Sequence, residues 1–443
     1  MKKVCSMLII TAIVSQGALW AEPASQSVAG QKELSLERAI TLLVENNPAI
    51  REAEQSAEAA VARKRQKAGD LFPQIDLAAS YTKLSPDPSV DFPGLGLIQF
   101  FPEQNYDAHI VARQTLFDFG KKWDTYKATK YSSEAAKNAA RAVKSNLKLQ
   151  TVYTFYSILL LQKSIEVQNQ ELKSLNEYLE ITQKKLASGT ATGFDVLTIQ
   201  FKLEEAKNKK IDLENNCAKQ LITMRRLICL PDSDSEAVTG DLQVQSEPID
   251  TASFLALAAQ ERPELKAARA TTVSAKMLLG SSRSERYPSI NLFYEYGYKN
   301  GYLPDLAAIV QDTVAGARFD MPLFGGFTTY NKIKEAQAQH ASLQAREKDM
   351  EGLVIAEVKQ AASDVETNAK KIDAAVLHVK LAQEAVSQAK VRFENGVITN
   401  LDMLNADNAL AEAKLLQLQA NFNYIVSRET LKKAAGIEPG TKN

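Results

Sequence analysis

Residues 45–53 read ENNPAIREA, and residues 260–268, at an offset of 215, read QERPELKAA. The same offset relates FPQIDL at residues 72–77 to YPSINL at residues 287–292. Both matches align a proline and place the large apolar or aromatic residues of one copy opposite those of the other, such as Ile50 opposite Leu265 and Phe72 opposite Tyr287. Matches that recur in order at a fixed spacing predict that the chain contains two copies of one structural unit.

Later matches between the two halves keep their order at an offset of 207, and they pair Gly189 with Gly396. The offset changes from 215 to 207 between residues 73 and 117, so one loop is longer in the first half. We therefore expect a first repeat at residues 22–240 and a second repeat at residues 241–443.

The first residues have the pattern of a secretory signal peptide. Lys2 and Lys3 precede a short apolar run, and small residues allow cleavage after Ala21. We expect residues 1–21 to be removed and the mature chain to leave the cytoplasm. The rest of the sequence has no run of 18 or more apolar residues, so we expect any membrane crossing to use strands.

The composition favours long helices. The 443 residues include only 14 prolines and 19 glycines, which are the residues that interrupt helices most strongly. Lys plus Arg and Asp plus Glu both number 53, and no basic tract occurs. This balance disfavours a nucleic-acid-binding protein, so we expect no nucleic-acid partner.

Two long stretches lack proline altogether, from Pro102 to Pro231 and from Pro322 to Pro439. Within the second stretch, apolar or small residues recur about every 3.5 positions over residues 354–393, which is typical of a coiled-coil seam. We predict a long helix at about residues 121–187, preceded by a short helix at 48–71 and followed by a returning helix at 193–230. The pattern indicates coiled-coil helical hairpins.

Each hairpin needs a turn, and Gly189 and Gly396 supply it at matching positions. Glycine readily adopts the positive φ that ends a helix. Thr192 and Thr399 then begin Thr-x-x-Asp sequences, which have the spacing of a capping box for the returning helix.

Between the short and long helices the apolar pattern changes to a period of two, which predicts strands. We place two strands in each repeat, at about residues 74–85, 106–117, 289–299 and 313–323. The fold class is therefore mainly α with a small β part, in two tandem repeats. Four strands cannot close a membrane barrel alone, since the smallest have about eight, so closure would need partner chains.

The strand pattern also predicts which side chains share a face. We expect Arg113 and Asp320, at equivalent places in the two repeats, to point into a barrel lumen. The opposite face would contact lipid through Ile110, Tyr294, Tyr296 and Phe319.

The sequence resembles the TolC-like outer membrane efflux proteins over nearly all of the mature chain. The motifs that carry the resemblance are Asn47-Pro48 and Arg262-Pro263, LFDFG at residues 116–120, PLFGG at residues 322–326, and the two glycine turns. The resemblance implies a homotrimer in the outer membrane with a large periplasmic portion. Three chains would form a twelve-stranded β-barrel and a helical periplasmic tunnel. Such proteins are exit ducts for an inner-membrane pump of the RND or ABC type, joined through a periplasmic adaptor protein.

The resemblance also implies sites. Adaptor contact would fall at the hairpin turns, around Gly189-Thr190 and Gly396-Val397. In well-known relatives an Asp-x-x-Asp pair follows the second turn and lines the periplasmic entrance of the tunnel. Here the pair reads Asp402 and Asn405, so the ring would carry half the charge. Asp402 is equally explained as a helix cap, and both interpretations stay open.

The sequence offers little support for catalysis. His109, His340 and His378 lie in three separate segments, and no Cys/His cluster has metal-binding spacing. Cys217 and Cys229 would be about 18 Å apart along a helix, so we expect no disulfide and two buried thiols. We expect no cofactor and no metal.

One alternative function remains, a secreted periplasmic coiled-coil scaffold without a channel. It explains the helices equally well, but not four amphipathic strands at equivalent places in two repeats.

Overall fold

The computed structural model describes residues 32–86, 89–94, 96–231 and 236–441. The expected signal peptide lies outside these residues. The helices are α1 (Leu36–Asn46), α2 (Pro48–Gly69), α3 (Lys121–Ala187), α4 (Gly193–Ile228), α5 (Thr251–Glu261), α6 (Pro263–Ser284), α7 (Thr328–Glu394) and α8 (Asn400–Ala434). The strands are β1 (Lys32–Leu34), β2 (Gln74–Lys83), β3 (Ser89–Phe92), β4 (Gly96–Gln99), β5 (Gln104–Phe117), β6 (Glu236–Val238), β7 (Ser289–Lys299) and β8 (Val310–Asp320).

The elements recur in the same order in the two halves of the chain. The series α1, α2, β2, β5, α3, α4 corresponds to α5, α6, β7, β8, α7, α8. Helices α3 and α7 both have 67 residues, and α2 and α6 both have 22. The additional strands β3 and β4 pair with each other inside the longer loop of the first half.

The helices form a single layer. At about 1.5 Å per residue, α3 is about 100 Å long. It contacts α2 and α4, which follow one another along it, and it also contacts α6 and α8. Helix α7 also contacts α6 and α8. Helices α2 and α4, end to end, therefore form one edge of the layer, and α7 forms the other.

The residue before each helix-starting proline ties that helix to the end of the returning helix. Asn47 Nδ2 donates to the Leu227 carbonyl at 2.8 Å, and Arg262 Nη1 donates to the Ala434 carbonyl at 3.0 Å. Both donors are buried. These bonds satisfy carbonyls in the last turn of α4 and α8, which have no partner within the helix. An equivalent hydrogen bond therefore joins the start of the proline-led helix to the end of the returning helix in both repeats.

The predicted turns are confirmed in detail. Gly189 has φ 76° and Gly396 has φ 73°, the left-handed conformation expected after a helix end. Both capping boxes are complete, with Thr192 bonded to Asp195 and Thr399 bonded to Asp402 in both directions.

One four-stranded antiparallel sheet has the order β2-β5-β7-β8. The second repeat therefore adds its strand pair directly to that of the first, with β5 next to β7. The last strand, Val310–Asp320, begins and ends three residues earlier than expected, and it ends before Pro322. A separate parallel pair, β1 with β6, was not predicted.

One expectation about burial is wrong. Cys217 is buried, but Cys229 is exposed; it caps α4 in the left-handed conformation, with φ 53°. On α7 the predicted seam is buried or half-buried along its length, except at Val376, which is half exposed while the neighbouring Ala375 is buried.

Candidate functional site

The turns of the two hairpins lie side by side. Asn400, the first residue of α8, has its side chain 3.3 Å from the Thr182 hydroxyl on α3 and also bonds the Asp195 carboxylate. Lys185 on α3 places its ammonium 3.8 Å from the centre of the Phe393 ring on α7. The two turns, defined here as residues 188–192 and 395–399, therefore form one end of the helical layer, which we call the hairpin ends.

The four residues expected to contact an adaptor lie on the surface of the hairpin ends. The Thr190 nitrogen donates to the Lys185 carbonyl at 2.9 Å, and the Val397 nitrogen donates to the Arg392 carbonyl at 2.8 Å. These bonds fix the backbone and leave the side chains of both residues exposed. A Cβ added to Gly189 or Gly396 would meet no atom within 4 Å. The turns therefore have open space around them.

Asp402 is a helix cap with an exposed carboxylate. Its Oδ2 accepts from the Thr399 nitrogen at 3.0 Å and from the Thr399 hydroxyl at 2.7 Å. These hydrogen bonds favour the ionised form and lower the pKa of Asp402. Asn405 is also exposed and lies one turn further along α8, whereas Met403 and Leu404 between them are buried. The structure thus places Asp402 and Asn405 on one exposed face.

The sequence interpretation missed a polar seam between α3 and α8. It comprises Thr182 with Asn400, Tyr178 with Asp407, and Gln170 with Lys414 at 3.0 Å. On α8 the three partners are spaced by seven residues, a pattern that was visible in the sequence. Within each hairpin the seams are apolar instead, with Leu175, Ile199 and Leu203 packed between α3 and α4.

Burial changes the ionisation of this polar seam. Loss of solvent raises the pKa of Asp407, although the Tyr178 hydroxyl and Lys390 partly oppose the effect. Asp407 Oδ2 has no hydrogen-bond partner among the described residues. Burial likewise raises the pKa of Glu171 and of Tyr178. An ionised Asp407 is therefore held at a cost in free energy.

The four-stranded sheet has one face that carries nearly all of its charge. Because directly paired residues point to the same side, the register places Arg113 with Phe293 and Gly316, and Asp320 with Ser289. Alternation along β7 puts these pairs on the same side. We call this side the polar face, and its charged members are Asp76, Asp107, Arg113, Glu295, Lys299, Asp312, Arg318 and Asp320. Lys83, at the end of β2, is the one charged residue of the four strands on the other side.

The other side, the apolar face, exposes large hydrophobic side chains. Ile75, Leu77 and Phe319 are each more than 60% exposed in the single chain. Ile110, Tyr294 and Tyr296 share this face, since Ile110 pairs with Tyr296 and Ala112 pairs with Tyr294. An exposed apolar surface of this extent marks contact with a membrane or a partner.

The histidines lie apart, as their positions in the sequence indicate. His109 is buried on the polar face, where it contacts Asp107 and lies 3.4 Å from Asp312, while His340 and His378 are on α7. Within the described residues, no group of three or more His, Cys, Asp or Glu side chains could hold a metal ion. The described helices include none that is both long and apolar enough to cross a membrane.

Comparison with known proteins gives consistent matches over most of the chain. The family model for outer membrane efflux proteins matches residues 39–229 and 254–437. The chain is 22% identical to the outer membrane protein TolC of Vibrio cholerae over 98% of its own length and 96% of that protein. It is 24% identical to the alkaline protease secretion protein AprF of Pseudomonas aeruginosa, over 76% of this chain and 72% of the relative. The crystal structure of the Campylobacter jejuni CmeC outer membrane channel superposes with a TM-score of 0.79 at 18% identity, covering 92% and 87% of the two chains.

Long helical hairpins joined to a sheet with one polar and one apolar face define a membrane channel class. Within that class, the chain belongs to the outer membrane efflux protein family. Its function is that of an outer membrane exit duct for efflux or secretion. Members of this family are channels rather than enzymes.

Proposed function

We propose that three copies of the chain form one duct, in which the sheets close a barrel across the outer membrane and the helices form a periplasmic tunnel. The observation that carries this proposal is the separation of charge between the polar and apolar faces. Charged side chains are costly at a lipid face and much less so in a lumen. The polar face, including Arg113 and Asp320, would line the lumen, and the apolar face would contact lipid.

The edges of the sheet support a closed assembly. Among the described residues, strands β2 and β8 each pair with a single neighbouring strand, so one side of each has no strand partner there. Unpaired edges are aggregation-prone, and closure of a barrel removes them. Pairing β8 of one copy with β2 of the next, three times, would close a twelve-stranded barrel.

The edges of the helical layer support the same arrangement. On α4, Ile199 is buried against α3, whereas Phe201, two residues and about 200° further round the helix, is 68% exposed. Phe194 and Leu197 continue this exposed stripe. On α7, Ala375 is buried, whereas Leu377, two residues further along, is exposed. Leu381 continues this exposed stripe. The two outermost helices therefore each carry a second apolar stripe, which the neighbouring copies would cover.

The proposed entrance and partner contacts lie at the hairpin ends. Asp402 and Asn405 would line the tunnel entrance, while Gly189, Thr190, Gly396 and Val397 would contact a periplasmic adaptor protein. The adaptor would join the duct to an inner-membrane pump. The name of the relative AprF refers to protease secretion, and the family model describes efflux proteins. The pump would be of the RND or ABC type.

Fractionation and conductance measurements test the proposal. We expect the expressed protein to remain with outer membranes through an alkaline wash, to run as a cross-linked trimer, and to conduct in planar bilayers. A periplasmic scaffold would be released by the wash and would give no current. Release from the membrane would therefore overturn the proposal in favour of the scaffold.

A further inference from the structure

The charges on the polar face are separated along the strands. One rung of directly paired residues contains Asp76, Val111, Glu295 and Val314, and its only charged groups are two carboxylates. The next rung toward the helices contains Arg113 with Gln74, Phe293 and Gly316. Arg318 follows, paired with Asn291. Over two rungs toward the helices, the charged groups thus change from carboxylates to guanidinium groups.

The separation extends over the whole face. On the side away from the helices, Asp107 and Asp312 add two carboxylates, against the single ammonium of Lys299. On the helix side, Arg113 and Arg318 outnumber the one carboxylate, Asp320. The polar face is therefore acidic at one end and basic at the other.

A cavity of about 690 Å³ lies at the basic end. Its charged lining is three cations, Arg113, Arg318 and Lys122, and two carboxylates, Glu295 and Asp320, so cations are in excess. The rings of Phe72 and Phe293 also line it. Phe293 lies against the sheet because its partner is Gly316, where a Cβ would come within 2.6 Å of the ring. The flat ring leaves the space above it open to a ligand.

The guanidinium groups at this cavity have donors to spare. Arg113 Nη1 is 3.8 Å from Asp76, and Arg318 Nε is 3.4 Å from Asp320, both longer than a charge-assisted hydrogen bond. Their side chains are 63% and 74% exposed. A planar guanidinium binds carboxylate or phosphate oxygens through two parallel bonds, so these two arginines suit an anion better than lysines would.

We propose that the basic end of the barrel lumen, formed by Arg113, Arg318 and Lys122, is a binding site for polyanionic groups such as phosphates or clustered carboxylates. The proposal rests on the trimer and on the lumen position of the polar face. In the trimer the site would contain six guanidinium groups, directly below a rung with six carboxylates. Anionic cargo leaving the tunnel would be concentrated at the basic end before it passes the acidic rung.

Inorganic tripolyphosphate is a suitable probe. Added to purified trimer in planar bilayers on the side where the barrel opens, it should reduce the current in a concentration-dependent manner, less so at 1 M than at 0.1 M salt because exposed charges are screened. The double variant Arg113→Gln/Arg318→Gln should raise the half-blocking concentration by about tenfold, since it removes the charge-assisted bonds. Glu295→Gln, which removes repulsion from the neighbouring rung, should lower it.

Lys83→Gln is the matched control, because it removes the one charge on the apolar face and should leave block unchanged. Calorimetry of tripolyphosphate binding to the solubilised trimer gives the same comparison without conduction. Absence of block in the unmodified channel, or equal block and binding in the double variant, would overturn the proposal. Failure to conduct at all would instead contradict the proposed duct.

Discussion

The carboxylate of Asp402 uses a single oxygen, Oδ2, for both of its capping bonds to Thr399. The helix cap and an exposed position are therefore compatible in one side chain. Within the described part of the chain, the Asn405 side chain on the same face makes no such capping bond. The role of Asp402 as a helix cap and its proposed role at the tunnel entrance can be distinguished only if the charge at Asn405 is changed as well.

If both residues line the entrance, three copies give one ring of three carboxylates beside three neutral amides. We expect weak cation selectivity and poor block by trivalent cations added on the periplasmic side, since each carboxylate adds to one focused potential. Asn405→Asp should tighten block by about tenfold, and Asp402→Asn should nearly remove it. Because Thr399 lowers the pKa of Asp402, block should change little between about pH 7.5 and 5.

Asp195→Asn is the control for this comparison, because Asp195 makes the equivalent cap with Thr192 on the other hairpin. It should lose a cap without losing the block. If neither Asn405→Asp nor Asp402→Asn alters the block in bilayers, Asp402 is only a helix cap.

Asp407 gives a prediction about stability. Burial raises its pKa, so the folded protein binds this proton more tightly than the unfolded chain does. Stability from this residue is then greatest at low pH and is lost as the pH rises through the raised pKa. Asp407→Asn removes the charge and keeps an acceptor for Tyr178, so it should stabilise the protein at pH 7.5.

Thermal unfolding at two pH values measures this effect. At acidic pH the gain should shrink, because protonation then neutralises Asp407 in the unmodified protein too. Asp373→Asn, at an exposed position on α7, should change stability little at either pH. A gain that is the same at both pH values would show that the charge of Asp407 is not its cause.

At the scale of secondary-structure elements, the sheet and the hairpin ends follow different rules. In the strands a neighbouring residue points to the opposite face, so adjacent positions can differ completely in environment. At the hairpin ends, the backbone bonds of Thr190 and Val397 fix the turn while the side chains remain exposed. In the sheet, the effect of a substitution should therefore depend on which face the side chain occupies. At the turns, it should depend on the contacts that the exposed side chain makes.

Adjacent residues of β8 test the facing. Phe319→Lys puts a charge on the apolar face and should impair assembly far more than Asp320→Lys on the polar face. A lysine at the lipid face costs about 2–4 kcal/mol at the bilayer midplane and less toward its edges. Ile110→Lys, nearer the middle of its strand, should therefore impair assembly most. Trimer yield in outer membranes measures the effect, and equal yields for all three variants would contradict the assigned facing.

Bulky substitutions test the hairpin ends. Thr190→Trp or Val397→Trp should abolish export while the trimer still forms, because neither side chain is packed inside the chain. Thr190→Ser and Val397→Thr keep small side chains and should export normally. Export assays with parallel cross-linking measure both properties. Loss of the trimer in the Trp variants would show that the turns support assembly and would leave adaptor contact without support.

At the scale of the whole molecule, a single chain is a layer with two open edges. The helical edges are α4 and α7, and the sheet edges are β2 and β8. Buried clusters lie inside the layer, whereas the exposed apolar stripes lie at its edges. In the proposed trimer, neighbouring copies would bury these stripes.

Phe201 on α4 tests this closure. Phe201→Glu should prevent trimer formation, because burying a Phe side chain contributes about 1.5–3 kcal/mol and each of the three interfaces would lose it. Gln200→Glu adds the same charge at the neighbouring exposed position and should still allow trimers. Chromatography with light scattering distinguishes the two outcomes. Normal trimers of Phe201→Glu would place the interface elsewhere on the molecule.

The sequence alone determined the elements that depend on local rules. The long helix was predicted at residues 121–187 and is observed as Lys121–Ala187, because a stretch without proline and a glycine turn define its ends. Both capping boxes and the alternation of the strands were also correctly predicted. These features follow from residues that are close together in the chain, where backbone propensity and side-chain period suffice.

The tertiary structure decided everything that joins distant residues. It alone showed that Asn47 and Arg262 each bond the end of a returning helix, and that Asp407 is half-buried beside Tyr178. The placement of Arg113 and Glu295 on different rungs also depends on the order and register of the strands. Alternation within one strand does not determine either of these. The partners of these particular side chains lie a hundred or more positions away in the sequence, and the packing of the whole chain brings them together.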